Sequence, residues 1–335
     1  MYTKFFKENK IYIFSISLII LVGIIHYLIN KLPNIDLVYT WVDGSDKKWL
    51  EKKNKYSKND KLNKNEQENI RYTNIDELKY SLRSVYKYAN WFNNIYIVVD
   101  DDQKPEWLNL GNSKVKLIKH SEIFSDKNDL PTFNSHSIES NLHNIPNLSK
   151  YFIYMNDDIF FGNYVNKTDY ISSYLHYFSN NNDICMYNVN NIPESKVNGY
   201  YGAWNKTQKL MKNKLNINPS CQWHQGVILN KNTFKSVSNI FKDEFKKTSS
   251  SRFRSPEDIV PIGMCYQYGL KNNEYIKKKP LSNIFININD NLKQIDNIKK
   301  IKPCVFCLNN NNNKKNHTII NFLNEYYPDK SPYEI

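Results

Sequence analysis

The stretch that most constrains how this chain can fold is residues 151–162, an apolar run interrupted by two carboxylates. Its first five residues are uncharged and mostly aromatic or β-branched, which predicts a buried strand. Asn156, Asp157 and Asp158 follow directly, and three more apolar residues come after them. Ligands of open α/β sheets bind at the carboxyl ends of strands. The pattern predicts a ligand-binding acidic turn, although a plain polar turn between buried segments would have the same sequence.

Other segments repeat this arrangement and extend the prediction to a whole sheet. Strand patterns at 35–42 and 94–99 are each followed by acidic residues, at 43–46 and 100–102 respectively. A further strand is predicted at 115–118, and helical patterns lie between the strands. Alternating strands and helices with carboxylates at strand ends predict an α/β fold with three layers and a mainly parallel sheet. The acidic residues after the second strand compete with Asp157 and Asp158 as a metal site.

The helix predicted after the first strand carries polar residues of uncertain role. Residues 73–76 resemble a capping box, and Leu78 and Leu82 recur at helical spacing. Glu77 and Arg83 project from other parts of this helix. The sequence allows them to line a ligand cleft or to form an ion pair that anchors the helix.

An apolar segment near the N-terminus predicts a membrane anchor. Residues 11–29 form an uncharged, largely aliphatic run of nineteen, which would span about 28 Å as a helix. Lys4, Lys7 and Lys10 precede it, so the positive-inside rule predicts a cytosolic tail at 1–10 and a lumenal (Golgi) or otherwise non-cytosolic remainder. A signal peptide is the alternative, but no small-x-small cleavage site follows the run. The sequence predicts a single-pass type II membrane protein.

The net charge of +13 favours polyanionic partners. Much of it lies in a Lys-rich segment, and residues 47–69 are predicted to form a mobile basic loop. The sequence shows no zinc-finger spacing or RNA-binding aromatic motif, which argues against a nucleic-acid partner. Five cysteines leave room for one or two disulfides. Cys304 and Cys307 have zinc-knuckle spacing, but no second cysteine pair accompanies them.

Four blocks of the chain resemble the Stealth family, which includes bacterial capsule polysaccharide phosphotransferases and the eukaryotic N-acetylglucosamine-1-phosphotransferase. The blocks lie at residues 35–46, 71–158, 224–258 and 306–334. They extend over nearly everything after the apolar run. The resemblance implies one sugar-phosphate transferase domain at 30–335, with a nucleotide-sugar transferase core of the GT-A-like type.

The chain departs from the family pattern at three places. Residues 100–102 are all Asp where the family usually has Thr-Asn-Gly. Gly226 stands where proline is usual, and Asn310 stands where an Asp commonly follows Cys-Leu-Asn within the last block. Because the change at 310 removes a carboxylate, we expect Asp157 and Asp158 to matter more for metal binding than the C-terminal block.

The resemblance implies transfer of a sugar-1-phosphate, expected to be N-acetylhexosamine-1-phosphate from UDP-GlcNAc, to a hydroxyl of a glycan or polysaccharide acceptor. Nucleoside monophosphate would be released, and Mg²⁺ or Mn²⁺ is the expected cofactor. One alternative is an ordinary glycosyltransferase that releases UDP. A second is an inactive, membrane-anchored glycan-binding protein. An oligomer is compatible with the sequence.

Site residues follow from this chemistry. Transfer at phosphorus needs a cation and fixed donors, because charge develops on the phosphoryl oxygens. The expected metal ligands are Asp157, Asp158 and Asn309. The expected catalytic residues are His224 as general base or phosphohistidine, Arg252 and Arg254 as phosphoryl clamps, and Asp258 to orient an arginine or complete the metal shell. The expected nucleotide-sugar-binding residues are Asp43, Gly44, Ser45, Glu77 and Arg83.

Overall fold

A computed structural model describes residues 10–30, 32–57, 72–171, 177–179, 199–218, 225–277, 281–287, 293–309 and 317–335. Within these residues the strands are β1 Ile35–Thr40, β2 Ile95–Val99, β3 Val115–Lys119, β4 Tyr151–Asn156, β5 Ile159–Phe161, β6 Tyr177–Ser179, β7 Val227–Asn230, β8 Tyr275–Lys277, β9 Asn283–Asn287 and β10 Val305–Asn309. The helices are α1 Lys10–Asn30, α2 Lys47–Ser57, α3 Glu77–Tyr88, α4 His120–Ile123, α5 Ser135–Asn141, α6 Gly199–Leu215, α7 Lys231–Ile240, α8 Lys242–Ser249, α9 Pro261–Lys271, α10 Lys293–Ile301 and α11 His317–Tyr326.

The main sheet has five strands in the order β3-β2-β1-β4-β7. The first four are parallel to one another, and β7 runs antiparallel to β4 at the edge. β1 and β2 are buried along almost their whole length, as expected of parallel strands covered on both faces. The prediction of a mainly parallel sheet is confirmed.

Two tyrosines show that helices cover both faces of this sheet. Val38 is the register partner of Tyr154 and the neighbour of Tyr39, so Tyr39 and Tyr154 project from opposite faces. The hydroxyl of Tyr39 is 2.8 Å from Ser81 Oγ on α3. The hydroxyl of Tyr154 is 3.2 Å from Glu139 Oε1 on α5. The predicted three-layer arrangement is therefore correct.

A second sheet begins where β4 ends. β5 pairs antiparallel with β10, which pairs in parallel with β9. Phe160 of β5 stacks on Phe306 of β10 at 5.1 Å and on Tyr327 at 6.2 Å. The stretch 151–162 therefore bridges two sheets, and its acidic turn lies at their junction.

The predicted membrane anchor is a helix, α1. Among the described residues, however, no helix is both long and apolar enough to cross a membrane. The structure therefore does not support the transmembrane prediction for 11–29. Residues 1–9 of the predicted cytosolic tail lie outside the described residues.

The prediction of a loop over 47–69 is wrong for its first half. Residues 47–57 form α2, because Trp49 is buried against Tyr72 and Phe133, with ring centroids 4.9 and 5.3 Å apart. Residues 58–69 lie outside the described residues. The lysine-rich composition of the segment predicted a loop and gave no indication of the aromatic contact that holds this helix.

Two helix starts also differ from the sequence prediction. α3 begins at Glu77 with Asp76 in the left-handed region at φ 67°, and its N-cap makes no side-chain hydrogen bond. The predicted capping box at 73–76 is therefore absent. A proline is favoured in the first turn of a helix, so the sequence predicts a helix start at Pro256. The helix begins instead at Pro261, and Asp258 lies buried in the loop before it.

Candidate functional site

The candidate site lies where the strand order of the main sheet reverses, between β1 and β4. Their last residues, Thr40 and Asn156, are register partners. A crevice outside the carboxyl ends of such strands is the usual ligand site of an open α/β sheet. The turn containing Asp43 leaves β1 here, and Asp157 and Asp158 leave β4 here.

Hydrogen bonds from two other elements hold the Asp157–Asp158 turn. Ser81 Oγ of α3 donates to the carbonyl of Ile159 at 2.6 Å. The backbone N–H of Leu308, on β10, donates to the carbonyl of Asp158 at 3.1 Å. The backbone of the turn is thus fixed to α3 and β10.

Glu77 lies near these aspartates at the start of α3. It is 5% exposed, and its Oε2 accepts a hydrogen bond from the backbone N–H of Ile75 at 2.7 Å. Burial raises the pKa of Glu77 to about 8, and the negative charges of Asp157 and Asp158 contribute to the increase. Glu77 therefore belongs to the acidic cluster of the switch point, as the prediction that it lines the cleft requires.

The raised pKa of Glu77 predicts a pH-dependent stability. Between its ordinary pKa of 4.5 and the folded value of about 8, the folded chain binds this proton more tightly than the unfolded chain. The Glu77 contribution to the free energy of unfolding therefore decreases as pH rises through that window. We expect Glu77→Gln to gain stability relative to the parent from pH 5 to pH 8, measured by urea unfolding in EDTA.

Glu106→Gln, at an exposed position, is the matched control and should show no such trend. A difference between Glu77→Gln and parent that stays constant across the window would contradict a buried, proton-binding Glu77.

The other acidic strand end is paired with a lysine of the protein. Lys52 of α2 forms an ion pair with Asp100, which is buried, and another with Asp102 at 2.9 Å. Burial lowers the pKa of Lys52, but its hydrogen bonds to the two carboxylates outweigh this effect and raise it. This ammonium group pairs with two of the three carboxylates, and Asp101 accepts a hydrogen bond from the N–H of Ser121 at 2.9 Å. These contacts favour Asp157 and Asp158 over residues 100–102 as the cation site.

The donor chemistry at Asp157 and Asp158 fits a hard divalent cation, which prefers carboxylate oxygens. In the part of the chain that the structure describes, no group of three or more His, Cys, Asp or Glu side chains is arranged to hold a metal ion. Mg²⁺ is commonly bound through one or two carboxylates together with substrate phosphates. Two carboxylates that bind the ion, and that gain phosphate oxygens as further ligands when substrate is present, agree with both observations.

The turn after β1 is built around a close backbone approach. Asp43 Oδ1 accepts hydrogen bonds from the backbone N–H and the hydroxyl of Ser45, at 2.9 and 2.7 Å. A Cβ on Gly44 would lie 2.1 Å from the carbonyl of Tyr72, so only glycine fits. Gln103 bonds both the N–H and the carbonyl of Asp43. Gln103 was not among the predicted site residues. Its position just after the end of a strand could have indicated that it lies near the site.

Arg254 belongs to a loop that is fastened to the start of α5. Its Nη2 donates to Ser135 Oγ at 2.6 Å. Asp258, fully buried, accepts from Asn134 Nδ2 at 2.8 Å and from the N–H of Ser255 at 2.9 Å. Asp258 therefore positions the loop that carries Arg254.

One turn of α5 connects this arginine to the sheet edge. Ser135, which contacts Arg254, lies four residues before Glu139, a rise of about 6 Å. Glu139 is within hydrogen-bonding distance of the Tyr154 hydroxyl, which is 3.2 Å from Thr40 Oγ1. The sequence prediction missed Glu139, because a short run of polar residues looks like an ordinary surface helix.

Arg83 and Arg252 have clear protein partners. Arg83 donates from Nε and Nη2 to the two oxygens of Glu334, at 2.9 and 2.7 Å, and from Nη1 to the carbonyl of Tyr327. Arg83 therefore forms an ion pair that anchors the helix, as one of the two predictions has it, but its partner is Glu334 of the C-terminal segment rather than Glu77. Arg252 donates to the carbonyl of Asn128 at 2.8 Å and stacks over another side chain, the Tyr56 ring.

Two predicted residues lie beside undescribed segments. His224 is outside the described residues. Two positions later, a Cβ on Gly226 would lie 2.9 Å from Met155 Cγ, so Gly226 packs closely against β4. Asn309 ends β10, next to Leu308, which bonds the Asp158 carbonyl. The structure thereby places Asn309 beside the acidic turn.

Three of the five cysteines, Cys265, Cys304 and Cys307, are free thiols. Cys307 lies on β10 and Cys304 immediately precedes that strand, so side chains three residues apart project in opposite directions. The zinc-knuckle alternative is therefore wrong. Cys185 and Cys221 lie outside the described residues.

Known proteins are similar in sequence to this chain over most of its length. It is 33% identical to the capsular polysaccharide phosphotransferase fcs1 of Haemophilus influenzae, over 90% of this chain and 85% of that protein. It is 32% identical to the exopolysaccharide phosphotransferase cps2G of Lactiplantibacillus plantarum, over 83% of this chain and 88% of that protein. For the exopolysaccharide phosphotransferase SCO2594 of Streptomyces coelicolor the identity is 32%, and the chain spans about half (51%) of that relative's length.

A solved structure, that of mouse xyloside xylosyltransferase 1, covers 82% of this chain and 97% of its own at 9% identity. Its TM-score of 0.37 is too low to support an argument. Models of the Stealth protein conserved regions 1, 2 and 3 match residues 33–61, 71–179 and 224–269. These regions contain both turns of the switch point and the arginine loop. With relatives of comparable length above 30% identity, the chain belongs to the Stealth family.

Proposed function

We propose that this chain transfers a sugar-1-phosphate from a nucleotide-diphosphate sugar to a hydroxyl group of a polysaccharide acceptor. The observation that carries the proposal is the position of Asp157 and Asp158 at the switch point of the sheet, where ligands of open α/β sheets bind. The names of the relatives, capsular and exopolysaccharide phosphotransferases, support the reaction class. N-acetylhexosamine-1-phosphate carried by UDP is the donor group we propose.

In this reaction an acceptor oxygen attacks the phosphorus attached to the sugar. The P–O bond between the two phosphates breaks, and nucleoside monophosphate leaves. Asp157 and Asp158, with Asn309 beside them, would hold Mg²⁺ or Mn²⁺, which supplies neutralisation of the phosphate charge. In the ion-free chain, burial and the charges of Asp157 and Asp158 raise the pKa of Glu77 to about 8, and a cation bound by the two aspartates would lower it again.

The arginines and the histidine would bind the donor phosphate and accept the proton of the acceptor hydroxyl. A guanidinium fork matches the geometry of phosphate oxygens, and Arg254 is held by Ser135 near the sheet edge. Arg252 would assist from the same loop. His224 is the proposed general base, because an imidazole titrates near neutral pH. It would take the proton of the acceptor hydroxyl as the new O–P bond forms.

The turn of Asp43, Gly44 and Ser45 would bind the nucleotide. Its backbone is fixed by Gln103 and approaches Tyr72 closely. Such a preorganised turn costs little ordering when a ligand binds. In this role the turn binds the half of the donor that leaves.

The released nucleotide tests the proposal. The full chain is incubated with UDP-GlcNAc and a panel of other nucleotide sugars, an oligosaccharide acceptor and Mn²⁺, and the products are separated by anion exchange. We expect a nucleoside monophosphate and a phosphodiester-linked acceptor. UDP as the product would contradict the proposal and indicate an ordinary glycosyltransferase. Glycan binding without turnover would indicate a binding protein.

A further inference from the structure

The end of β10 makes a side-chain contact with the acidic turn in addition to the backbone bond from Leu308. Cys307 Sγ lies 3.4 Å from Asp158 Oδ2, within the range of a thiol–carboxylate hydrogen bond. The Cys307 side chain is fully buried. Its strand neighbour across the sheet is Ile159, the residue after Asp158. Backbone pairing therefore fixes where the thiol sits relative to the carboxylate.

Core packing alone does not account for the contact between Cys307 and Asp158. A buried cysteine commonly behaves as a small apolar side chain, but here it faces a carboxylate of the candidate site. Cys304 cannot engage it, because the two side chains project in opposite directions. Since Asp158 accepts and an S–H can only donate to a carboxylate, the direction of the bond is defined.

We propose that Cys307 is a positioning residue of the candidate cation site: its thiol holds the carboxylate of Asp158 in one orientation. This inference rests on the proposed role of Asp158 as a cation ligand. An unrestrained carboxylate would lose rotational freedom when the ion binds, and that loss weakens binding. Partners that orient metal ligands typically change metal affinity by about 10- to 100-fold.

Mn²⁺ binding without donor tests the inference directly. Free Mn²⁺ is titrated against the full chain and followed by electron paramagnetic resonance, in which bound ion loses its signal. We expect Cys307→Ala to raise the Kd for Mn²⁺ by about 10-fold or more. Cys307→Ser, which keeps a donor but has shorter reach, should fall between the parent and Cys307→Ala.

Cys265→Ala is the matched control, because it removes an equally buried thiol elsewhere in the core. We expect its Mn²⁺ affinity to equal that of the parent, even if both alanine variants lose similar stability. Equal Kd values for Cys307→Ala and the parent would overturn the inference. So would an equal loss of affinity in Cys265→Ala, because that result would assign the effect to core packing.

Nucleotide release is measured on the same samples, which separates this inference from the proposed function. If the parent releases nucleoside monophosphate but Cys307→Ala binds Mn²⁺ as well as the parent does, only the role of Cys307 fails. If the parent binds Mn²⁺ but releases no monophosphate, the proposed reaction fails while the effect on Mn²⁺ affinity still decides the role of Cys307. A parent that binds no Mn²⁺ overturns the inference.

Discussion

Asp157→Asn is expected to lower turnover by about 10³-fold while the chain remains folded. The substitution keeps the side-chain volume but removes one of the two carboxylates at the switch point. A bound cation and fixed donors supply several kcal/mol of stabilisation to a phosphoryl transition state, and about 1.4 kcal/mol corresponds to a factor of ten. The measurement is the initial rate of nucleoside monophosphate release at saturating UDP-GlcNAc and Mn²⁺.

The control makes the same chemical change at the neighbouring strand end. Asp102, 68% exposed and paired with Lys52, is replaced by Asn. We expect near-parental rates, because Asp102 is exposed and Asp100 retains its ion pair with Lys52. If Asp157→Asn kept more than a tenth of parental activity at parental thermal stability, Asp157 could not be a cation ligand. Comparable losses in both variants would point to a general effect of charge on the sheet edge.

Arg83→Met is expected to lower the free energy of unfolding by about 3–5 kcal/mol, the usual cost of leaving one member of a buried ion pair alone. Methionine fills much of the volume, but the Glu334 carboxylate loses both guanidinium hydrogen bonds. The carbonyl of Tyr327 loses its donor as well. The loss is measured by urea unfolding at pH 7.

The pair has a defined pH dependence. Burial raises the pKa of Glu334, but Arg83 and Ser331 outweigh it and hold the pKa below its usual value. Because the pKa of Glu334 is lower in the folded chain than in the unfolded chain, the ion pair contributes to the free energy of unfolding above the unfolded pKa. This contribution is lost as the pH falls through the folded pKa. The destabilisation in Arg83→Met should therefore shrink under acid conditions.

Lys299→Met serves as the control for Arg83→Met, since its pair with Glu325 is exposed and exposed pairs contribute at most about 1 kcal/mol. A double-mutant cycle with Glu334→Gln isolates the coupling. A loss in Arg83→Met no larger than that in Lys299→Met would mean that the C-terminal segment is held by its aromatic contacts alone.

The sequence predicted the strand ends of the main sheet better than it predicted the elements around them. Strand ends carrying Asp43 and Asp157 were correctly placed on one edge of a parallel sheet, because apolar runs that stop at acidic residues are a local signal. Lys52 shows where this reasoning ends. The lysine-rich composition of its segment predicted a solvated loop, whereas in the structure Lys52 lies on α2 and forms an ion pair with Asp100.

The sequence by itself determined the parallel sheet, the acidic turn after β4 and the family blocks. These features depend on residues that are adjacent in the chain, so short sequence patterns are enough to predict their burial and their turns. Tertiary structure alone decided that β5 leaves the main sheet, that Arg83 pairs with Glu334 and that Cys307 contacts Asp158. The reason is separation along the chain. Partners 149 and 251 residues apart meet only after the sheets have packed, and no local pattern specifies which distant group a buried polar side chain will find.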